Sequence, residues 1–173
     1  LDDESNAMAA FLIKHVKPKN NIVGVSVLNK KYAVIYQLAV LKAGMAFFPL
    51  DLRNTPTEKL EAIIKELKLD WVILPNGDHY PISLPNANLI HDCSEYIQAQ
   101  KYTSERPMAE KKLDLKYQAP ANLDIKRLVY ILPTSGSTSD KPKLVKQHAL
   151  ALSGATANYK QDIGFNENDV FLQ

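Results

Sequence analysis

The run "TSGSTSDKPK", Thr134 to Lys143, concentrates hydroxyls, a glycine and a cation within ten residues. Phosphate oxygens need many donors aimed at one point with little side-chain bulk between them. A glycine in a tight turn lets consecutive backbone N–H groups converge on an anion. Thr134, Ser135, Ser137 and Thr138 would add hydroxyls around Gly136, and Lys143 a mobile positive charge. The run follows an apolar stretch that reads as a strand, and ligands of open parallel sheets bind at strand ends. It lacks the GxxxxGK[ST] spacing, so it is not the common nucleotide-triphosphatase loop. Taken alone, the same residues also suit an ordinary polar turn.

Other chemistry-bearing residues form no constellation. His15, His79, His91 and His148 are scattered without metal-ligand spacing and read as surface or helix-end groups. Cys93 follows His91 at i, i+2, a spacing that rarely brings two side chains face to face. No nucleophile-elbow pattern surrounds a serine, and no Ser–His–Asp set is visible. Neither a catalytic residue nor a metal ligand is assigned. Asp51, beside Pro49, reads as the anchor of a turn.

The elements around the run predict an α/β fold: a doubly wound, mostly parallel sheet with helices on both faces. A helix is expected over Asn6–His15, capped by Ser5 or Asn6. "NIVGVSVL" (Asn21–Leu28) reads as a strand buried on both faces. "YAVIYQLAVLKAG" (Tyr32–Gly44) is apolar nearly all round, so it reads as a helix buried on several sides, with Gly44 as a left-handed stop. A strand over Met45–Phe48 should end at Pro49. "TPTEKLEAIIKELK" (Thr55–Lys68) predicts a helix with a Thr55–Glu58 capping box, Pro56 at its first position and i, i+4 charge pairs on its solvated face. "WVIL" (Trp71–Leu74) is the next strand. Residues 76–122 read as a loop-rich connection carrying a minor strand at Asn88–Ile90 and a short helix after Asp92. "RLVYIL" (Arg127–Leu132), an extended Lys143–Gln147, a helix over His148–Lys160 and a strand at "DVFLQ" complete the pattern.

The chain has 173 residues, 46% of them apolar and 23% charged, as expected of one folded domain. A net charge of +2 gives no electrostatic case for nucleic acid or membrane partners. No apolar run approaches the roughly 20 residues that span a bilayer. One cysteine and an acidic start without an apolar leader fit a cytoplasmic setting.

Two stretches carry a family resemblance. "LKAGMAFFPLD" (Leu41–Asp51) resembles the LKAGxAYxPLD core motif of the adenylate-forming (AMP-binding) superfamily. "LVYILPTSGSTSDKPKLV" resembles the same superfamily's phosphate loop, YTSGSTGxPKG. They occur in the family's order and spacing, and the likeness covers most of the chain outside 76–122. It is closest to amino-acid-activating adenylation domains of peptide-synthetase type, alongside acyl-CoA synthetases. The resemblance implies that residues 1–173 are the N-terminal part of an adenylation domain, a fragment not expected to act alone. In the longer enzyme, a carboxylic or amino acid attacks the α-phosphorus of ATP, with Mg²⁺, to give an acyl-adenylate. A phosphopantetheine thiol, on coenzyme A or a carrier domain, then takes the acyl group. In that scheme Thr134, Ser135, Gly136, Ser137 and Thr138 hold the phosphates and Lys143 neutralises them.

The loop departs from the family pattern. Ser139 stands where a glycine is usual, one residue is added before the proline, and Leu144 replaces the glycine after the lysine. Asp140 adds a carboxylate; at about 4 Å from a phosphate charge it would cost roughly 4 kcal/mol at an effective dielectric near 20. These changes support a second reading, a degenerate module that scaffolds or binds a partner. A third is an unrelated flavodoxin-like domain whose loop binds a phosphorylated small molecule. The family's acyl pocket, adenine site and catalytic lysine have no counterpart before Gln173.

Overall fold

The computed structural model describes residues 1–28, 30–74, 88–91, 117–134, 143–164, 166 and 169. Its elements are α1 (Asp2–His15), β1 (Ile22–Ser26), α2 (Lys30–Lys42), β2 (Ala46–Leu50), α3 (Thr57–Leu67), β3 (Trp71–Leu74), β4 (Asn88–His91), β5 (Leu128–Pro133), β6 (Leu144–His148) and α4 (Ala149–Ile163). The strands form one sheet in the order β4-β3-β1-β2-β5-β6. Its first five strands run parallel, and β6 returns antiparallel to β5.

Alternation along the strands explains why helices cover both faces. Val23 and Val25 of β1, Phe47 of β2 and Ile73 of β3 join Met8 and Leu12 of α1 and Ile35, Tyr36, Ala39 and Val40 of α2 in one core. Ile22, then Ala46, Phe48 and Leu50, then Val72 and Leu74 point the other way, onto Leu60, Ile63, Ile64 and Leu67 of α3. This is the doubly wound arrangement that the continuous apolar strands predict. Ala33 and Ile35 of α2 are buried, but Val34 is 44% exposed, so that helix keeps one strip open to solvent.

The starts of two helices differ from expectation. α1 starts at Asp2, not Asn6, and has no side-chain cap. Its first turn is acidic, which suits the positive end of a helix, and Ser5 and Asn6 are free to accept hydrogen bonds from Lys42. α3 forms no capping box; Pro56 itself is the N-cap. Its carbonyl takes the first helical bond, from Leu60, while the Thr55 N–H is spent on Asp51. The charged face of α3 is exposed and makes no ion pair among the described residues. The minor strand appears as β4; the expected helix after Asp92 lies outside the described residues, as does nearly all of "DVFLQ".

Two of the helices, α2 and α3, stop with the same hydrogen-bond pattern. At the end of α2, the Gly44 N–H donates to Leu41 and the Met45 N–H to Val40, with Gly44 at φ 81°. At the end of α3, the Lys68 N–H donates to Lys65 and the Leu69 N–H to Ile64, with Lys68 at φ 47°. In each case the residue after the reversal packs in the same core as the residue five places before it, Met45 with Val40 and Leu69 with Ile64.

Candidate functional site

The hydroxyl-rich run hangs from the C-terminal end of β5 as the loop of the β5–β6 hairpin. Pro133 pairs with Leu144, and beyond them Thr134 and Lys143 close the stem. The Thr134 N–H donates to the Lys143 carbonyl at 2.9 Å, and the Thr134 hydroxyl donates to the same oxygen at 3.3 Å. Thr134 therefore uses both donors to hold the base of the loop. Lys143 is exposed. Ser135, Gly136, Ser137 and Thr138, together with Ser139 and Asp140, lie outside the described residues. Leu144, where the family has glycine, begins β6 and packs partly buried against the α3-side core.

The neighbour of β5 on the other side is β2, registered through Phe47 and Tyr130, whose rings stack at 5.6 Å. Carried forward, that register sets Leu50 level with Pro133, so the turn after β2 lies beside the base of the loop. The chain leaves β2 towards α3 and β3 in one direction along the sheet, and leaves β5 towards β6 in the other. Such a parting of connections is where open α/β sheets bind ligands.

Asp51 builds the turn after β2. Its Oδ1 accepts the N–H groups of Arg53 (3.3 Å) and Asn54 (3.0 Å), and its Oδ2 accepts the Asn54 side-chain amide at 2.9 Å. Its backbone carbonyl accepts the Thr55 N–H. The Asn54 amide, then the Asn54 backbone N–H, hold the Asp51 carboxyl below its ordinary value. Asp51 thus has the structural role its place beside Pro49 suggests.

Pro49 departs from expectation. It lies inside β2, which runs on through Leu50. Ala46 and Leu50 bond towards β1, through Ala46 N–H to the Asn21 carbonyl and Val27 N–H to the Leu50 carbonyl. Alternate residues of a parallel strand serve opposite neighbours, so Phe47 and Pro49 face β5. The missing donor of Pro49 therefore falls on the β2–β5 seam, whose one registered pair is Phe47 with Tyr130.

Sequence reasoning missed what the lysine of LKAG does. The Lys42 ammonium donates to the Asp2 carboxylate, to Ser5 Oγ at 2.8 Å and to Asn6 Oδ1 at 2.7 Å, tying α2 to the first turns of α1. The Tyr117 hydroxyl and an Arg127 Nη2 then donate to the Lys42 and Leu41 carbonyls. A charged residue at the end of a long, mostly apolar run was the available signal. LKAG is thus the end of α2 that aims β2 at the rim.

No three carboxylate, imidazole or thiol groups gather as a metal site among the described residues. No helix among the described residues is long and apolar enough to cross a membrane.

A family model described as "AMP-binding enzyme" matches residues 1–173. The chain is 32% identical over 143 residues to the nonribosomal peptide synthetase kk1B of Curvularia clavata, covering 83% of this chain and 1% of that protein. It is 31% identical over 175 residues to the ferrichrome siderophore peptide synthetase of Mycosarcoma maydis, covering 100% of this chain and 4% of that one. Among solved structures, apo MatB from Rhodopseudomonas palustris superposes with a TM-score of 0.74 at 15% identity, over 96% of this chain and 32% of that chain. That last likeness is one of fold.

Proposed function

Because this chain belongs to the AMP-binding enzyme family, we propose that it forms the N-terminal, phosphate-gripping part of an adenylation domain. The complete protein activates a carboxylic or amino acid with ATP as an acyl-adenylate. It passes the acyl group to a phosphopantetheine thiol on coenzyme A or a carrier domain. The similarity to peptide synthetases favours an amino acid and a carrier domain, in a cytoplasmic enzyme.

One observation carries this reading. The Ser/Thr/Gly-rich loop follows the C-terminal end of β5 at the rim of the parallel sheet, on a closed two-stranded stem beside the Asp51 turn that ends the LKAGMAFFPLD stretch. Bound ATP would supply the electrophilic phosphorus. The part of this chain's residues is to hold the phosphates still, with the amides and hydroxyls of 135–138 and the Lys143 ammonium as donors. Electrostatic holding of this kind is most of what phosphoryl chemistry asks of a protein.

The test is ATP–pyrophosphate exchange by the complete polypeptide across a panel of amino and carboxylic acids. Exchange that depends on one acid supports the reading. A folded protein that exchanges with none points instead to the degenerate, partner-binding module, which the residues at Ser139, Asp140 and Leu144 favour.

A further inference from the structure

We propose that the outer end of the β5–β6 stem is a hinged arm. Two prolines remove both donors that would tie it to β2, so it tilts about Ile131 independently of the rest of the sheet. The inference concerns the described strands and does not depend on what the loop beyond them holds.

Two separate observations fix which groups face the β2–β5 seam. Ala46 and Leu50 bond towards β1, so Phe47 and Pro49 turn to β5. On β5, the Thr134 N–H donates across the stem to Lys143, so Pro133 and Ile131, at alternate positions, turn to β2. In a parallel ladder, one residue's N–H and C=O serve the two residues flanking its partner. The pairing of Phe47 with Tyr130 therefore joins the Ile131 N–H to the Phe47 carbonyl. One step further towards the rim, Pro49 lies level with Leu132. The two donors there would be the N–H groups of Pro49 and Pro133, and neither exists. Pro49 belongs to the LKAGxAYxPLD pattern. Pro133 stands where YTSGSTGxPKG has tyrosine, so the loss of the second donor belongs to this chain and not to the pattern.

Packing changes at the same point. Val129 and Ile131 are buried, whereas Leu132 is 41% and Val145 37% exposed. Pro133 and Lys143 are exposed as well. β6 is the last strand of the sheet, and α4, which follows it, buries no residue. Of the arm's apolar residues, Leu144 packs partly buried against the α3-side core. Within the arm the strands stay paired, Leu132 with Val145 and Pro133 with Leu144, and Thr134 closes on Lys143. The arm thus moves as a unit. Its tilt changes the gap between the stem and the Asp51 turn while each keeps its own hydrogen bonds.

The experiment is hydrogen exchange on the complete polypeptide without ligand, resolved to single amides by electron-transfer fragmentation. It compares two adjacent amides: Ile131, bonded across the seam, and Leu132, bonded within the hairpin. Taking their ratio removes any change common to the whole fold. After correction for intrinsic rates, Ile131 should exchange about tenfold faster than Leu132 or more, as expected of a local opening. Pro133→Tyr and Pro133→Val each return a donor aimed at the Pro49 carbonyl. They should shrink the ratio about two- to tenfold, the scale of one net backbone hydrogen bond. A wild-type ratio near one overturns the inference. So does a large ratio that no folded variant reduces, because the prolines are then not its cause. Should both variants fail to fold, Pro49→Val, which returns the other donor, takes their place, and the wild-type ratio decides if that fails too.

Discussion

α1 and α4 are nearly equal in length, 14 and 15 residues, yet α1 buries seven residues and α4 none. The contrast extends beyond the helices. Of the ten large hydrophobic residues left exposed among the described residues, eight lie between Leu123 and Ile163: Leu123, Ile125, Leu132, Val145, Leu150, Leu152, Tyr159 and Ile163. On the side of β1 to β4, the sheet is covered on both faces by α1, α2 and α3. Past β5, the elements carry apolar residues that no described residue covers. A helix of about 15 residues is marginal in water without packing. One side therefore holds its shape by burial, and the other depends mostly on the hairpin ladder and local bonds.

The largest effect that could break this contrast is a pair of truncations. Phe48→Ala should cost about 3–5 kcal/mol in urea denaturation, since Phe48 is 1% exposed at the centre of the α3-side core. Leu150→Ala, 52% exposed on α4, should cost under about 0.5 kcal/mol. Comparable costs would mean that α4 is packed after all.

A pair of glycines sharpens the point. Gly44 and Gly164 both cap helices at positive φ, 81° and 74°. A Cβ on Gly44 would lie 3.0 Å from Leu123 Cδ2, whereas one on Gly164 meets nothing within 4 Å. Gly164→Ala should cost only the backbone strain, about 1 kcal/mol, and Gly44→Ala about 2 kcal/mol. Equal losses would show that Leu123 gives way.

Lys68 sits in the same left-handed position with a side chain, so Lys68→Gly should stabilise the well-packed side by about 0.5 kcal/mol, read as a raised Tm. The smallest effect concerns pH. The Asp51 pKa is lowered in the fold, so its contribution is present above the ordinary value near 3.8 and is lost as pH falls through the depressed one. Tm should fall less on acidification from pH 5 to pH 2.5 in Asp51→Asn than in wild type; parallel curves would remove Asp51 from the turn's support.

Much of the fold was legible because burial imposes period. The strand at Ile22–Ser26 and the stripe Leu60, Ile63, Ile64 and Leu67 follow from apolar spacing alone, and Gly44 from its need for positive φ. Helix starts were less legible. Asp2 and Pro56 begin helices because of partners distant in sequence, Lys42 for the first, or because a neighbouring turn takes the competing donor, as Asp51 does for the second. Pro49 misled because its cost depends on which neighbour its missing N–H would have served, a fact of strand order that no local pattern carries. Of the candidate site, the run itself and its place after a strand could be read directly. The stem closed by Thr134 and Lys143 could not, since a hydroxyl's partner is not written in its type.

The proline in β2 has one more consequence. With a single registered rung below it, the line between β2 and β5 is a crease across the middle of the sheet, joining two plates that are each firmly laced. Amide protons bordering the crease should exchange with solvent sooner than those of β1.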